Sequence, residues 1–301
     1  MELDRNSWET RASHLVGSVM QRAPWGVCRR TGWWFGLALF KALKSRRKVA
    51  IGNVQRAFPH LTEAAARQVA RRSVQNAAMT LFEFMRLSTA TRDEVMETVI
   101  DDGSEHVREA LAGGRGVLLL TAHFGNWELL AAGAALHFPL SLIARPVSNQ
   151  GLEDQILMVR RKFNVEVISK HDAGRATLDA LRKNRTLAIT PDQHAGAQGL
   201  LLPFFGHPTR MVSSLARLAM LSGAPVVPAF GVRKYPWISD GRTIARIRPG
   251  FTVENDRKRR DEMVLAGTQR MTAELENIIR LYPDQWLWLH KRWRDEDAMQ
   301  N

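Results

Sequence analysis

From residue 104 onward, short apolar runs alternate with amphipathic segments, and few folds tolerate that alternation. Strands buried in a parallel sheet read as continuous apolar runs, and the helices crossing between them carry one apolar face. The spacing predicts strands over 117–121, 140–144, 165–168, 186–190, 226–230 and 243–247. Between them it predicts helices over 151–163, 174–183 and 213–222, with Gly113-Gly114, Asn184 and Gly223 where helices should stop. A further amphipathic helix is predicted over 256–282, ended by Pro283, and a Trp-rich tail over 284–294 closes the domain. The expected fold class is α/β, a mostly parallel central sheet flanked by helices.

No repeat, low-complexity tract or Pro/Gly/Ser linker divides the 301 residues. The expected organisation is an α/β core over 101–301 with a helical region, 1–100, packed onto it. Thr62 has the character of an N-cap for a long helix reaching about Leu87, and Ala66, Ala70, Val74, Ala77, Leu81 and Met85 recur at three- or four-residue intervals as its core face. Nearer the start, the apolar stretch 32–43 falls well short of the ~20 residues that a spanning helix needs. Trp8, Trp25, Trp33 and Trp34 surround it, with Arg22, Arg29, Arg30, Lys41, Lys44, Arg46, Arg47 and Lys48. Interface-seeking aromatics beside basic residues predict an amphipathic, membrane-associating region that lies on a bilayer; the alternative is an ordinary helix packed on the domain.

The charge agrees with a surface of that kind. Lys and Arg number 43 against 30 Asp and Glu, a net +13, which calls for an anionic partner, either nucleic acid or an anionic membrane lipid surface. No nucleic-acid-binding motif is present, and the aromatics gather at the two chain ends rather than along one sheet, so the lipid surface is the expected partner and nucleic acid is not. The single cysteine, Cys28, excludes an internal disulfide, and no Cys/His cluster has zinc-site spacing, so no metal is expected. The first residues lack a basic region leading into an apolar one, which predicts no secretory signal and a place on the cytoplasmic side.

Chemistry concentrates in Thr121-Ala-His-Phe-Gly-Asn-Trp-Glu128. A predicted strand precedes it and a helix-like run follows, so His123 to Trp127 is the strand-to-helix turn at the carboxyl end of the sheet, where ligands bind in such folds. Asn126 is an N-cap type, which puts Trp127 first and Glu128 second in the helix. On a continuous helix His123 and Glu128 would stand about 140° apart, too far round to pair. A turn with Gly125 as its flexible point lets Glu128 receive one imidazole N–H and leaves the other nitrogen as a base. With no Ser or Cys nucleophile in the motif, direct attack by an acceptor hydroxyl or amine on an already activated acyl group is expected. A packed His beside a helix-terminal Glu is the plain alternative.

That motif resembles the His-x4-Asp/Glu block of the glycerolipid acyltransferase superfamily, and its wording is closest to the bacterial lipid A late-acyltransferase family. Other segments resemble that family in the same order: 46–59 (RRKVAIGNVQRAFP), the helix with Glu83, Ala144-Arg-Pro146, Thr190-Pro-Asp-Gln-His194, Leu202-Pro-Phe-Phe-Gly206, Gly223-Ala-Pro-Val-Val-Pro228 and 282–294. The likeness spans roughly residues 40–294. It implies transfer of a fatty acyl group from an acyl carrier protein or coenzyme A thioester, as co-substrate with no cofactor, to a hydroxyl of a lipid A precursor. A different glycolipid or a lysolipid is the close alternative acceptor. It also implies a peripheral or monotopic place on the cytoplasmic face of the inner membrane.

His123 is then the expected general base and Glu128 its orienter. The expected substrate-binding residues are Arg145, which serves the acceptor, and Arg210, Asn126, Asp192, Gln193, Phe204 and Phe205. Arg210 is a candidate for a second positive contact or for neutralising the oxyanion, against a simple salt bridge. Phe204 and Phe205 are candidates for an acyl-chain wall, against plain core burial. The basic runs 257–260 and 160–162 both suit docking of an acidic carrier protein, and a solvated helix face is the plain reading of either. A non-catalytic adaptor on this fold would most simply have lost His123 or Glu128, and both are present.

Overall fold

The computed structural model describes residues 17–145, 150–169, 173–256 and 258–294. Its helices are α1 (Trp25–Ala42), α2 (Lys44–Ala57), α3 (Glu63–Leu87), α4 (Arg92–Thr98), α5 (Glu105–Ala112), α6 (Trp127–His137), α7 (Gln150–Lys162), α8 (Ala173–Arg182), α9 (Ser214–Ser222) and α10 (Arg260–Leu281). Its strands are β1 (Val99–Asp102), β2 (Val117–Leu120), β3 (Leu140–Ala144), β4 (Glu166–Ser169), β5 (Thr186–Ile189), β6 (Leu200–Phe204), β7 (His207–Met211), β8 (Val226–Arg233) and β9 (Thr243–Ile247). Among the described residues seven strands form one sheet in the order β1-β9-β8-β2-β5-β3-β4. The block β8-β2-β5-β3-β4 is parallel throughout, while β9 runs antiparallel to β8 and carries β1 parallel to itself at the edge.

The apolar runs owe their continuity to this layering. Every residue of β2 and β8 is buried. Successive side chains of a strand point to opposite faces, and both faces of this sheet are covered. Val117 and Leu119 join a core with Leu129 and Ala132 of α6 and Val159 of α7. Leu118 and Leu120 join the other core, with Leu215 and Ala216 of α9 and Leu275 of α10.

Two features lie outside the sequence expectation. Strand β1 reads Val-Ile-Asp-Asp and its two aspartates are exposed, so no apolar run announces it. The hairpin β6-β7 sets Pro203 opposite Pro208, residues that ordinarily argue against a strand. Its turn holds Phe205 (φ 51°) and Gly206 (φ 76°) both left-handed, the backbone of a tight two-residue hairpin.

Helix α3 is capped as its sequence predicts, Thr62 Oγ1 accepting from the Ala65 amide at 3.2 Å. The predicted stripe holds over its first half, where Ala66, Ala70 and Val74 are buried, but not over its second. Leu81 is 44% exposed and Ala77 half-buried, while Ser73, Asn76, Thr80 and Glu83 are buried in their place. A polar row faces inward because it has backbone and charge to meet there. Helix α1 crosses the opposite flank of α3 at contact distance: a Cβ at Gly32 would stand 2.5 Å from Met79 Cα, and one at Gly36 2.6 Å from Gln75 Cα. Arg29, expected among the headgroup-facing cations, is instead buried, 3.9 Å from the Glu83 carboxylate. Trp34 and Phe35 are exposed, and Trp8 lies outside the described residues.

Gly32→Val should therefore push α1 off α3 and cost about 1–3 kcal/mol of stability, measurable as a lowered denaturant midpoint.

Candidate active site

Strand β2 leads into a turn held from three sides. The Gly125 amide donates to the Gln285 carbonyl at 2.8 Å, the Asn126 amide to the Gly231 carbonyl at 2.8 Å, and the Leu287 amide to the His123 carbonyl at 3.1 Å. Gly125 has φ +54°, and any Cβ there would lie 1.9 Å from the Gly231 oxygen, so the position admits only glycine. Asn126 Oδ1 accepts from the Leu129 amide at 3.1 Å and caps α6, which puts Trp127 and Glu128 first and second in the helix, as the sequence predicts.

The turn presents His123, whose side chain is 28% exposed, against Asp192, which is 2% exposed. His123 Nδ1 lies 3.0 Å from Asp192 Oδ1 and 3.3 Å from Oδ2, and the His123 backbone amide donates to Oδ2 at 3.0 Å. Trp286 Nε1 adds a third donor to Oδ2 at 2.9 Å. An ionised carboxylate only accepts, so Nδ1 carries the proton and Nε2 is left as the basic nitrogen. No described residue hydrogen-bonds Nε2.

Sheet geometry makes this pairing. Strands β2 and β5 are parallel neighbours with Leu120 opposite Ile189, and His123 and Asp192 lie equally far past those two ends. Burial alone would lower the imidazole value, but the charge and hydrogen bond of Asp192, with a smaller push from Glu128, outweigh it and hold His123 above the ordinary range. Burial likewise pushes the Asp192 carboxyl up, and the imidazolium with its hydrogen bonds outweighs that and holds it below its ordinary value.

The sequence places Glu128 behind the imidazole; the structure puts Asp192 there. Trp127 packs edge-on to His123, with ring centroids 5.6 Å apart, and its Nε1 donates to Glu128 Oε1 at 3.1 Å. Arg160 of α7 draws the same oxygen from the far side at 3.8 Å. Glu128 thus faces an apolar pocket lined by Phe84, Leu87, Ala131, Leu142 and Phe163, and it reaches the imidazole only through its field.

The remaining expected residues are spread more widely. Asn126, expected as a substrate contact, is fully buried, and its amide is engaged at both ends inside the protein, Nδ2 donating to Glu83 Oε2 at 2.9 Å. Gln193 is half-buried next to Asp192. Arg145 is exposed just past the end of β3. Arg210, on β7, donates to the carbonyls of Gly199 at 3.0 Å and Ala197 at 3.2 Å. Phe204 and Phe205 are buried among Phe58, Trp286, Trp288 and Trp293 and are not among the residues lining the pocket by Glu128. Of the two basic runs, 160–162 borders that pocket through Arg160; in the other, Arg259 pairs with Asp256 at 3.0 Å and Arg257 lies outside the described residues. Among the described residues no group of three His, Cys, Asp or Glu could hold a metal.

Trp286, Gln285 and Arg233 carry the site without having been marked in the sequence. Gln285 and Trp286 fall within the Trp-rich tail, where no local pattern marks their distant polar partners, and Arg233 ends β8 with no local signal at all.

In histidine-labelled protein, His123 should titrate above the ordinary imidazole value, drop in Asp192→Asn, and stay raised in Glu128→Gln. Because the folded value is raised, the pair's stabilising effect is full below the ordinary imidazole value and is lost as pH climbs through the folded one.

The profile of the family described as bacterial lipid A biosynthesis acyltransferase matches residues 6–295. The chain is similar to a lipid A biosynthesis acyltransferase of Haemophilus influenzae, 25% identical over 86% of this chain and 78% of that protein. It is equally similar, at 25%, to the lipid A biosynthesis lauroyltransferase of Escherichia coli, over 95% of this chain and 92% of that one. A phosphatidylinositol mannoside acyltransferase of Mycobacterium tuberculosis is 27% identical over 70% of this chain and 66% of its own length. With a parallel sheet presenting His123 at its carboxyl end and a family match over nearly its whole length, the chain belongs to the bacterial lipid A biosynthesis acyltransferases.

Proposed function

We propose that the protein moves a fatty acyl group from an acyl carrier protein or coenzyme A thioester to a hydroxyl of a lipid A precursor, with His123 Nε2 as general base. The observation that carries this is the His123 imidazole held at 3.0 Å by the buried Asp192 carboxylate. As the acceptor oxygen attacks the thioester carbonyl, Nε2 takes its proton and Asp192 stabilises the imidazolium; the proton then goes to the leaving thiolate. Asp192, rather than Glu128, is the orienting acid in this reading. Glu128 and Arg160 line a small, mostly apolar hollow beside the turn. Arg145, exposed beyond β3, suits an anionic acceptor group through its guanidinium fork.

Membrane contact fits the outward side of α1 and the start of α2, where Trp34 (65% exposed) and Phe35 (42%) lie with exposed Arg30, Lys41, Lys44 and Arg46. Attachment in this reading is peripheral or monotopic, on the cytoplasmic face; among the described residues no helix is long and apolar enough to cross a membrane. The mycobacterial relatives favour one second reading, another glycolipid as acceptor.

His123→Ala should lower turnover about 10² to 10⁴-fold with the fold intact, assayed as acyl transfer to a lipid A precursor lacking one chain. Near wild-type turnover would remove the mechanism. Offering phosphatidylinositol mannoside in parallel and weighing the products by mass spectrometry decides between the acceptors. Trp34→Glu should reduce cosedimentation with anionic vesicles.

A further inference from the structure

The polar row on α3 has no part in the chemistry proposed above, yet all of it is spent on the turn that carries His123 and on the tail segment that packs against that turn. Ser73 donates to the Trp286 carbonyl, Asn76 Nδ2 to the Gly125 carbonyl at 3.1 Å, and Thr80 Oγ1 to the same carbonyl at 2.9 Å. Glu83 ends the row. Its Oε2 accepts from Asn126 Nδ2 at 2.9 Å and from Arg233 Nη2 at 2.8 Å, with both charged side chains 0% exposed. Arg233 in turn donates to Asn76 Oδ1 at 2.8 Å and Thr80 Oγ1 at 3.1 Å, so the guanidinium ties the row to β8.

A buried ion pair of this kind is poorly explained by stability, because desolvation costs several kcal/mol per ion and well-packed apolar replacements are often neutral or better. What the carboxylate does supply is direction. It can only accept, so it fixes the Asn126 amide with nitrogen toward α3 and oxygen toward the Leu129 amide, the orientation that caps α6. An amide turned over would point its donors at the helix N-terminus and uncap it.

Resting on the reading of His123 as the base, we infer that Glu83 is a positioning residue: through Asn126 and the Arg233 clamp on Asn76 and Thr80, it sets where the turn holds His123 against Asp192. It touches neither substrate nor imidazole. Arg29, 3.9 Å from the other Glu83 oxygen, extends the arrangement to α1.

The test compares Glu83→Gln with the double variant Glu83→Leu/Arg233→Met, which removes the charge pair without leaving either member alone. Three quantities are read: melting, kcat and KM for acyl transfer, and the titration of His123 by NMR in substrate-free protein. Positioning predicts kcat lowered on the order of 10²-fold with KM little changed. It also predicts His123 titrating lower than in wild type, even in a double variant that melts at or above the wild-type temperature. A double variant that is stable, titrates normally and turns over normally would show that the pair only stabilises the fold, and would overturn the inference. If Glu83→Gln fails to fold, the double variant decides alone. If the wild type transfers no acyl group, the functional reading falls, and the His123 titration still decides for or against Glu83.

Discussion

The closest constraint in the molecule is the passage of residues 124–126 between β8 and the tail. A glycine on each side makes it possible: a Cβ at Gly125 would strike the Gly231 oxygen, and one at Gly231 would strike the Asn126 carbonyl at 2.6 Å. Where two backbones run that close there is no room for side chains between them, so their amides must satisfy each other directly. This brings the end of β2, the end of β8 and the segment after α10 to one place. The imidazole, its carboxylate and the indole that steadies the carboxylate then come from three distant stretches of sequence, in register because the backbones are.

Much of this architecture is legible in the sequence because strands covered on both faces, such as β2 and β8, read as short apolar runs. The runs at 140–144 and 243–247 coincide with β3 and β9, and Asn126 caps α6 where its residue type says it should. What escapes is whatever depends on a partner far along the chain. Strand β1 is written in aspartates because it pairs only at an edge. The second half of α3 misleads a count of apolar residues because Asn76, Thr80 and Glu83 are buried there for polar partners. Asp192 is noticed as a residue after a strand, but its relation to His123 needs the strand order, which puts β5 beside β2.

The positive charge also divides in a way composition does not show. Arg29, Arg233 and Arg292 are buried: Arg233 meets Glu83, and Arg292 sits over the Phe204 ring at 4.9 Å with its Nη1 on Thr209 at 3.1 Å. Arginine suits such places because its planar fork spreads the charge over several donors and stacks on rings. The excess that remains at the surface includes exposed Lys44 and Arg46 of α2 and Arg161 and Lys162 at the end of α7.

The indole of Trp286 has a consequence in time. Asp192 receives one of its three donors from a residue made almost a hundred positions later, and the same late segment lies against His123 as a strand-like bridge between Phe124 and Trp286. During synthesis the sheet's first parallel strands are available well before this piece emerges. Until residues 285–287 have emerged, Asp192 lacks its indole donor and the His123 turn lacks its contacts with the tail. The arrival of the tail finishes the site, so the order of synthesis keeps a basic imidazole from its final setting until the rest of the fold is there to shield it.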